Sequence, residues 1–272
     1  MRFLPVFICL LTFSGLYAQE LKDRSEVPQT YVERQEKEFI FYPGGKMTVS
    51  LGTSGNLKIV GWDKGVVRLE AEKIVYSMPE NAAREFLTKL PIRIRYTNSS
   101  STIEVLNVPK FTGALEVNIT LYVPKERTDI VVRMNNGDLS MDNINGWIEA
   151  TVTKGNLDMK SISGYFSGKT QRGDVYVDMS GNRLSGQSFT VLTQSGTVDL
   201  QLPEVYSAAL QLDTRNGKIN VDYPPQEVDG EIVPPEIVIQ KNVQQLKASI
   251  GSGGTPLRLA TLSGDVSLSM KK

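Results

Sequence analysis

The sequence predicts an all-β chain folded as a β-solenoid, a parallel β-helix-like stack of short strands with one short amphipathic helix. Three observations carry this. Gly137, Gly146, Gly155, Gly164 and Gly173 stand nine residues apart, and alternate units resemble one another, so the unit is eighteen residues. A fixed internal period marks a repeat architecture. Odd units carry Asp or Asn after the glycine and apolar residues two and four positions on (Leu139 and Met141, Leu157 and Met159, Val175 and Val177). Even units carry an aromatic after the glycine (Trp147, Tyr165) and end on a cation (Lys154, Arg172). Within each unit the apolar residues alternate, the period of a half-buried strand.

The N-terminus comes first. Arg2, an apolar run over residues 3–14 and Ala18 read as a secretory signal peptide over residues 1–18. The run is shorter than the ~20 residues a membrane-spanning helix requires. Cys9 lies inside it without the small residues ahead that lipidation demands. After removal of this segment the chain holds no cysteine and no histidine, and with Arg2 gone 29 basic residues face 30 acidic ones, a net of −1. That balance speaks against a nucleic-acid partner. No later stretch is long and apolar enough to be a transmembrane segment. The expected location is outside the cytoplasm: periplasm, cell surface or extracellular space.

Residues 19–37 are polar, include Pro28, and are expected to be a mobile leader. A single β-repeat body then spans 38–272, irregular over 38–124 and glycine-punctuated over 125–272. Strand signals occur at Phe39–Tyr42, Lys46–Leu51, Gly55–Ile59 and Val66–Val75, each bounded by Gly, Pro or Asn. A helix is expected over 78–90: Ser77 and Glu80 have capping-box spacing, Ala83, Phe86, Leu87 and Leu90 recur at helical intervals, and Pro91 stops the run. Such a helix would blunt an exposed sheet edge or end. Ile92–Tyr96, Thr102–Leu106, Ala114–Val123 and Ile130–Met134 lead into the repeats, which persist at Gly196, Gly217 and Gly264. The gap holding Pro224, Pro225, Pro234 and Pro235 reads as an extended loop.

All eight repeat glycines are expected at sharp turns, where positive φ suits glycine. Two nine-residue arms per coil would stack residues eighteen apart, giving a charged column of Asp142, Lys160 and Asp178 and an apolar one of Leu139, Leu157 and Val175. Opposite charges on neighbouring strands are favourable, which favours coils. The alternative is an antiparallel meander or sandwich.

Gly55–Asp63 (GNLKIVGWD), the strand end Leu121–Pro124 and Asn136–Met141 with its later echoes resemble the bacterial "putative adhesin" family of β-strand-repeat proteins, a DUF4097-like domain of unknown function. The resemblance runs from about residue 38 to 270. It implies an exported β-solenoid-like domain with no established catalytic residues.

Candidate chemistry is sparse. The Asp138–Asn156–Asp174 column could offer oxygens to calcium, but one glycine per unit differs from calcium-binding nonapeptides, and tight turns alone account for these residues; no metal or other cofactor is expected. Asp158, Asp174, Asp178 and Asp199 are expected to point outward, the residue type that glycoside hydrolysis uses in pairs. Histidine, the usual general base, is absent. The expectation is therefore a non-enzymatic adhesin or envelope scaffold, with a carbohydrate-active β-helix as the alternative. Trp62, Trp147, Tyr165 and Tyr176 could form a binding surface, and Trp147 and Tyr165 with Lys154 and Arg172 are the candidate contact residues for an unknown envelope protein or glycan.

Overall fold

The computed structural model describes residues 30–271 apart from 107, 109–112, 183–187, 224–225, 229–230, 234–236 and 241–242; the export signal read at residues 1–18 lies outside the described residues. The chain runs through β1 (Thr30–Ile40), β2 (Lys46–Ser54), β3 (Leu57–Trp62), β4 (Val66–Tyr76) and helix α1 (Glu80–Lys89). Next come β5 (Arg93–Tyr96), β6 (Ser100–Val105), β7 (Ala114–Pro124), β8 (Asp129–Asn136), β9 (Leu139–Lys154), β10 (Leu157–Arg172), β11 (Val175–Asp178), β12 (Phe189–Ser195) and β13 (Val198–Leu202). The last part holds β14 (Ala208–Asn216), β15 (Ile219–Asp222), β16 (Gln226–Val228), β17 (Glu231–Val233), β18 (Ile237–Gln240), β19 (Val243–Ile250), β20 (Pro256–Ser263) and β21 (Val266–Met270).

β9 and β10 are sixteen residues each because each crosses from one sheet to another. Asn143 (φ 56) and Ser161 (φ 52) take the left-handed region there and swing the strand round. Their first halves lie in an odd-arm sheet, ordered β1–β4–β7–β3–β9–β10–β11–β13–β21–β15. Their second halves lie in an even-arm sheet, ordered β5–β6–β2–β8–β9–β10–β12–β20–β14–β19–β18. Leu139, Met141 and Ile144 of one arm and Ile148, Ala150 and Val152 of the other are buried, so the core lies between the two sheets.

Eight layers result, in spatial order β6/β7, β2/β3, β8/β9, β9/β10, β10/β11, β12/β13, β20/β21 and β14/β15. Neighbours within the stack are parallel and the eighteen-residue offset holds: Leu157 pairs with Leu139, Tyr165 with Trp147, Arg172 with Lys154. That is the solenoid, and the meander alternative is set aside. Layer order departs from chain order at both ends. β2/β3 sits inside β6/β7, and β20/β21 is inserted between β12/β13 and β14/β15.

Four expectations need correction. Residues 30–37 are not a leader: they belong to β1, whose eleven residues all pair antiparallel with β4. Their polarity fits an edge strand beyond the last parallel layer. The helix forms two residues later than its expected start, and no side chain caps it: Pro79 holds the cap position and Ser77 has φ 58. Its other end is held instead by buried Lys73, which donates to the carbonyls of Leu87 (2.8 Å) and Leu90 (3.1 Å) and pairs with Glu33 at 2.5 Å. Lys73 shares the inward side of β4 with Leu69, Ala71 and Val75, and α1 packs there against β1 and β4. The gap read as a loop contains the hairpin β16–β17 and strand β18, while its four prolines lie outside the described residues. Finally, the Asp142–Lys160–Asp178 column is in register, yet Lys160 pairs with Asp158 of its own strand at 2.9 Å and Asp178 with Lys271 at 2.6 Å. A lysine reaches a carboxylate two residues along the same face as easily as one on the next strand.

Candidate binding surface

Each layer turns at two corners, and they are built differently. At the first, the even arm passes to the odd arm through a glycine and one further residue. Gly55, Gly137, Gly155, Gly173, Gly196 and Gly264 all have φ between +129 and +155. A Cβ on Gly155 would lie 1.9 Å from the carbonyl oxygen of Gly137, and one on Gly173 would lie 1.9 Å from that of Gly155. Glycine is needed here for both reasons. Gly217 corrects the expectation of positive φ at every repeat glycine: it is excluded from substitution only by contact, 1.9 Å to Gly264 O. Gly146 likewise has no positive φ, lies within β9 past the turn, and is confined by Thr128 O at 2.2 Å. Gly164 does have φ +93.

The residue after each corner glycine forms a ladder. Backbone N–H groups of Asn56, Asp138, Asn156, Asp174 and Thr197 donate in turn to Oδ1 of Asn118, Asn56, Asp138, Asn156 and Asp174, at 2.7–2.9 Å. Lys218 N–H donates to Asp265 Oδ1 at 2.8 Å. The Asp and Asn oxygens read as potential calcium ligands are thus engaged between layers, and no two aspartates are adjacent. Among the described residues no group of three or more metal-ligating side chains assembles. Inside the corner, buried Thr170, Thr193, Thr261 and Thr214 donate to the carbonyls of Gly155, Gly173, Gly196 and Gly264. The signal for this second ladder is Thr-x-x-Gly, which recurs in the sequence at all four places.

The second corner carries the aromatics. Trp147 and Tyr165 stack with ring centroids 3.8 Å apart and planes 19° apart, on the outer face of the even sheet. Trp147 is 41% exposed and its Nε1 donates to Glu149 at 3.0 Å. Trp62 and Tyr176 do not join them. They lie on the odd sheet, where Trp62 stacks on Tyr122 and donates to Val66 O, and the Tyr176 hydroxyl bonds Gln201. Burial raises the Tyr176 phenol above its ordinary pKa.

Lys154 and Arg172 are also separated from the aromatic pair. They stand at the glycine corner, seven residues along the same strands, about 23 Å away at strand rise. The grouping of all four as one contact surface is therefore corrected: they form two separate pairs at opposite edges of the even face. Of the outward acids, Asp158 and Asp178 hold lysines and Asp174 serves the ladder, while Asp199 has no ion pair among the described residues.

Residues 88–222 match the family described as Toastrack DUF4097. The chain carries a Toastrack domain. No curated relative matches. Among solved structures, it is similar to a "putative cell adhesion protein" from Clostridium sporogenes at 16% identity and TM-score 0.44, covering 88% of this chain and 100% of that one. It is also similar to a "putative adhesin" from Bacteroides fragilis, at 11% identity and TM-score 0.26, covering 88% and 97%. A "putative adhesin" from Parabacteroides merdae shows 8% identity and TM-score 0.25, with the same coverage.

Proposed function

We propose that this Toastrack protein is exported and non-enzymatic, and that it presents the flat outer faces of a rigid solenoid to an envelope protein or glycan. The observation that carries the reading is the Trp147–Tyr165 stack. Aromatic side chains held in fixed geometry on a parallel sheet offer contact area with little conformational entropy to lose. Trp147 keeps much of its surface in solvent despite that stack. The signal-like residues 1–18 support export, and the engagement of Asp158, Asp174 and Asp178 in structural contacts supports binding over hydrolysis.

Replacing Trp147 and Tyr165 together by alanine tests this. Retention of the purified protein on cell-envelope material is expected to fall while the cooperative unfolding transition persists. Unchanged retention would remove the aromatic pair from the reading. Polysaccharide turnover abolished at Asp199 would replace binding by catalysis.

A further inference from the structure

The near-zero net charge of the chain hides a division between its two faces. On the odd face the charges compensate one another locally: Lys160 with Asp158, Lys271 with Asp178, Arg34 with Glu72 and Arg68 with Glu70, at 2.6–2.9 Å. The even face holds two pairs, Arg95 with Glu104 at 2.9 Å and Arg258 with Asp213 at 3.6 Å, and otherwise differs. Arg133, Lys154, Lys169, Arg172 and Arg215 are all exposed, and among the described residues none has a carboxylate within ion-pair distance. Their register neighbours explain why. Arg133 lies between Ser50 and Thr151, and Lys169 between Thr151 and Leu192. Lys154 lies directly opposite Arg172. Asp174, two residues on from Arg172, commits one oxygen to the interlayer ladder, and Asp213, two residues before Arg215, is held by Arg258 and Gln245.

Like charges directly opposite on neighbouring strands destabilise a sheet, and neither Lys154 nor Arg172 gains a compensating ion pair among the described residues. A local rule broken without an internal gain points to an external one. Between these cations lies a shallow groove of about 470 Å³, crossing four strands, whose lining includes Lys169, Gln171, Leu192, Gln194, Arg258 and Leu262. Its wall is hydroxyl, amide and aliphatic, with cations and no carboxylate.

We propose that the even face at the glycine corner binds an anionic polysaccharide chain lying along the solenoid axis, across the strands. Resting on the reading of the protein as a glycan or envelope binder, this names the class of glycan and the surface. Charge complementarity selects an anion. Arg133, Lys154 and Arg172 place cations on three successive layers ~4.8 Å apart, close to the advance of one pyranose unit, so a uronic-acid chain can present its carboxylates to them. Gln171, Gln194 and Thr151 supply amides and a hydroxyl suited to sugar hydroxyls, whereas a lipid surface would require larger exposed apolar side chains at this edge.

Equilibrium binding of the full chain to polygalacturonate, with neutral dextran, phosphatidylglycerol vesicles and duplex DNA as comparators, tests it. Polygalacturonate binding that weakens with salt is expected, with none to dextran. Lys154→Gln with Arg172→Gln should weaken it about tenfold or more without lowering the unfolding midpoint, since a repulsive pair is removed. Should that variant not fold, Arg133→Gln with Lys169→Gln asks the same question from two exposed mid-strand positions and should also weaken binding. Binding unchanged in the variant that folds, no binding at all, or equal affinity for vesicles or DNA would overturn the proposal. Envelope retention measured in parallel separates the two readings: retention without polygalacturonate binding overturns only this one. Polygalacturonate binding without retention overturns only the envelope role.

Discussion

The two corners of the coil solve one geometric problem with opposite tolerance for variation. At the glycine corner seven of the eight layers turn through a glycine and one residue, from Gly55–Asn56 to Gly264–Asp265. Only the first layer departs, with residues 106–113 between β6 and β7. At the aromatic corner the connection is a left-handed Asn143 or Ser161 inside a continuous strand, residues 125–128, residues 179–188 or residues 203–207. The difference follows from contact. Where a backbone carbonyl stands about 2 Å from every would-be Cβ and an amide ladder spans the layers, neither length nor residue type can drift. Where no such ladder exists, the chain can lengthen at small entropic cost. A corner that varies is also the one able to carry an aromatic platform.

The largest effect is expected at the tight corner. Gly155→Val should destabilise by more than about 3 kcal/mol, because backbone strain of about 1–3 kcal/mol adds to a clash that only movement of Gly137 could relieve. Gly181→Ala, at the permissive corner with φ +75 but nothing within 4 Å, should lose only about 1 kcal/mol. Urea midpoints compare them, and equal losses would erase the distinction between corners.

Next is the ladder. Asn156→Ala removes the acceptor of the exposed Asp174 N–H and should cost about 0.5–1.5 kcal/mol. Asn156→Asp keeps an acceptor but puts three carboxylates on consecutive layers. In that variant mutual repulsion holds the protons more tightly in the folded state. Its stability should therefore fall as pH rises through about 4, a loss reduced by salt. A pH-independent difference from wild type would contradict the stacking of these side chains.

Smaller still is a gain at the aromatic corner. Ser161→Gly should stabilise by about 0.5 kcal/mol, relief of left-handed strain being partly offset by glycine's entropy. Near zero is the exchange Asp142→Lys with Lys160→Asp, away from both corners. With Lys160 committed to Asp158 on an exposed surface, the coupling energy between 142 and 160 should stay below about 0.5 kcal/mol. A larger value in a double-mutant cycle would restore the interlayer pair.

What could be read in advance depended on range. The spacing Gly137–Gly155–Gly173 and the alternation Leu139, Met141 were legible because turn and pleat act within a few residues, and the stacked pair Trp147–Tyr165 followed from the same eighteen-residue period. The Thr-x-x-Gly spacing is equally visible, but its meaning is not local, since an inward threonine gains its role only from the corner carbonyl above it. Ser77–Glu80 misled because capping-box spacing says nothing of Pro79 and of Lys73 at the far end. Lys154 shares a repeat unit with Trp147, as Arg172 does with Tyr165, but adjacency within a unit is not adjacency in space, because seven residues of extended strand separate them.

The sequence by itself determined the repeat, the inward and outward faces and the glycine turns, all of which arise from local sterics and a period of two along each strand. Tertiary structure alone decided the order of the layers, the insertion of β2/β3 and β20/β21, the recruitment of residues 30–37 as an edge strand, and the sorting of charge onto two faces. These depend on which distant strand edge a segment meets. Many strands of one repeat share nearly the same pattern, so the choice among edges lies in long-range pairing and packing.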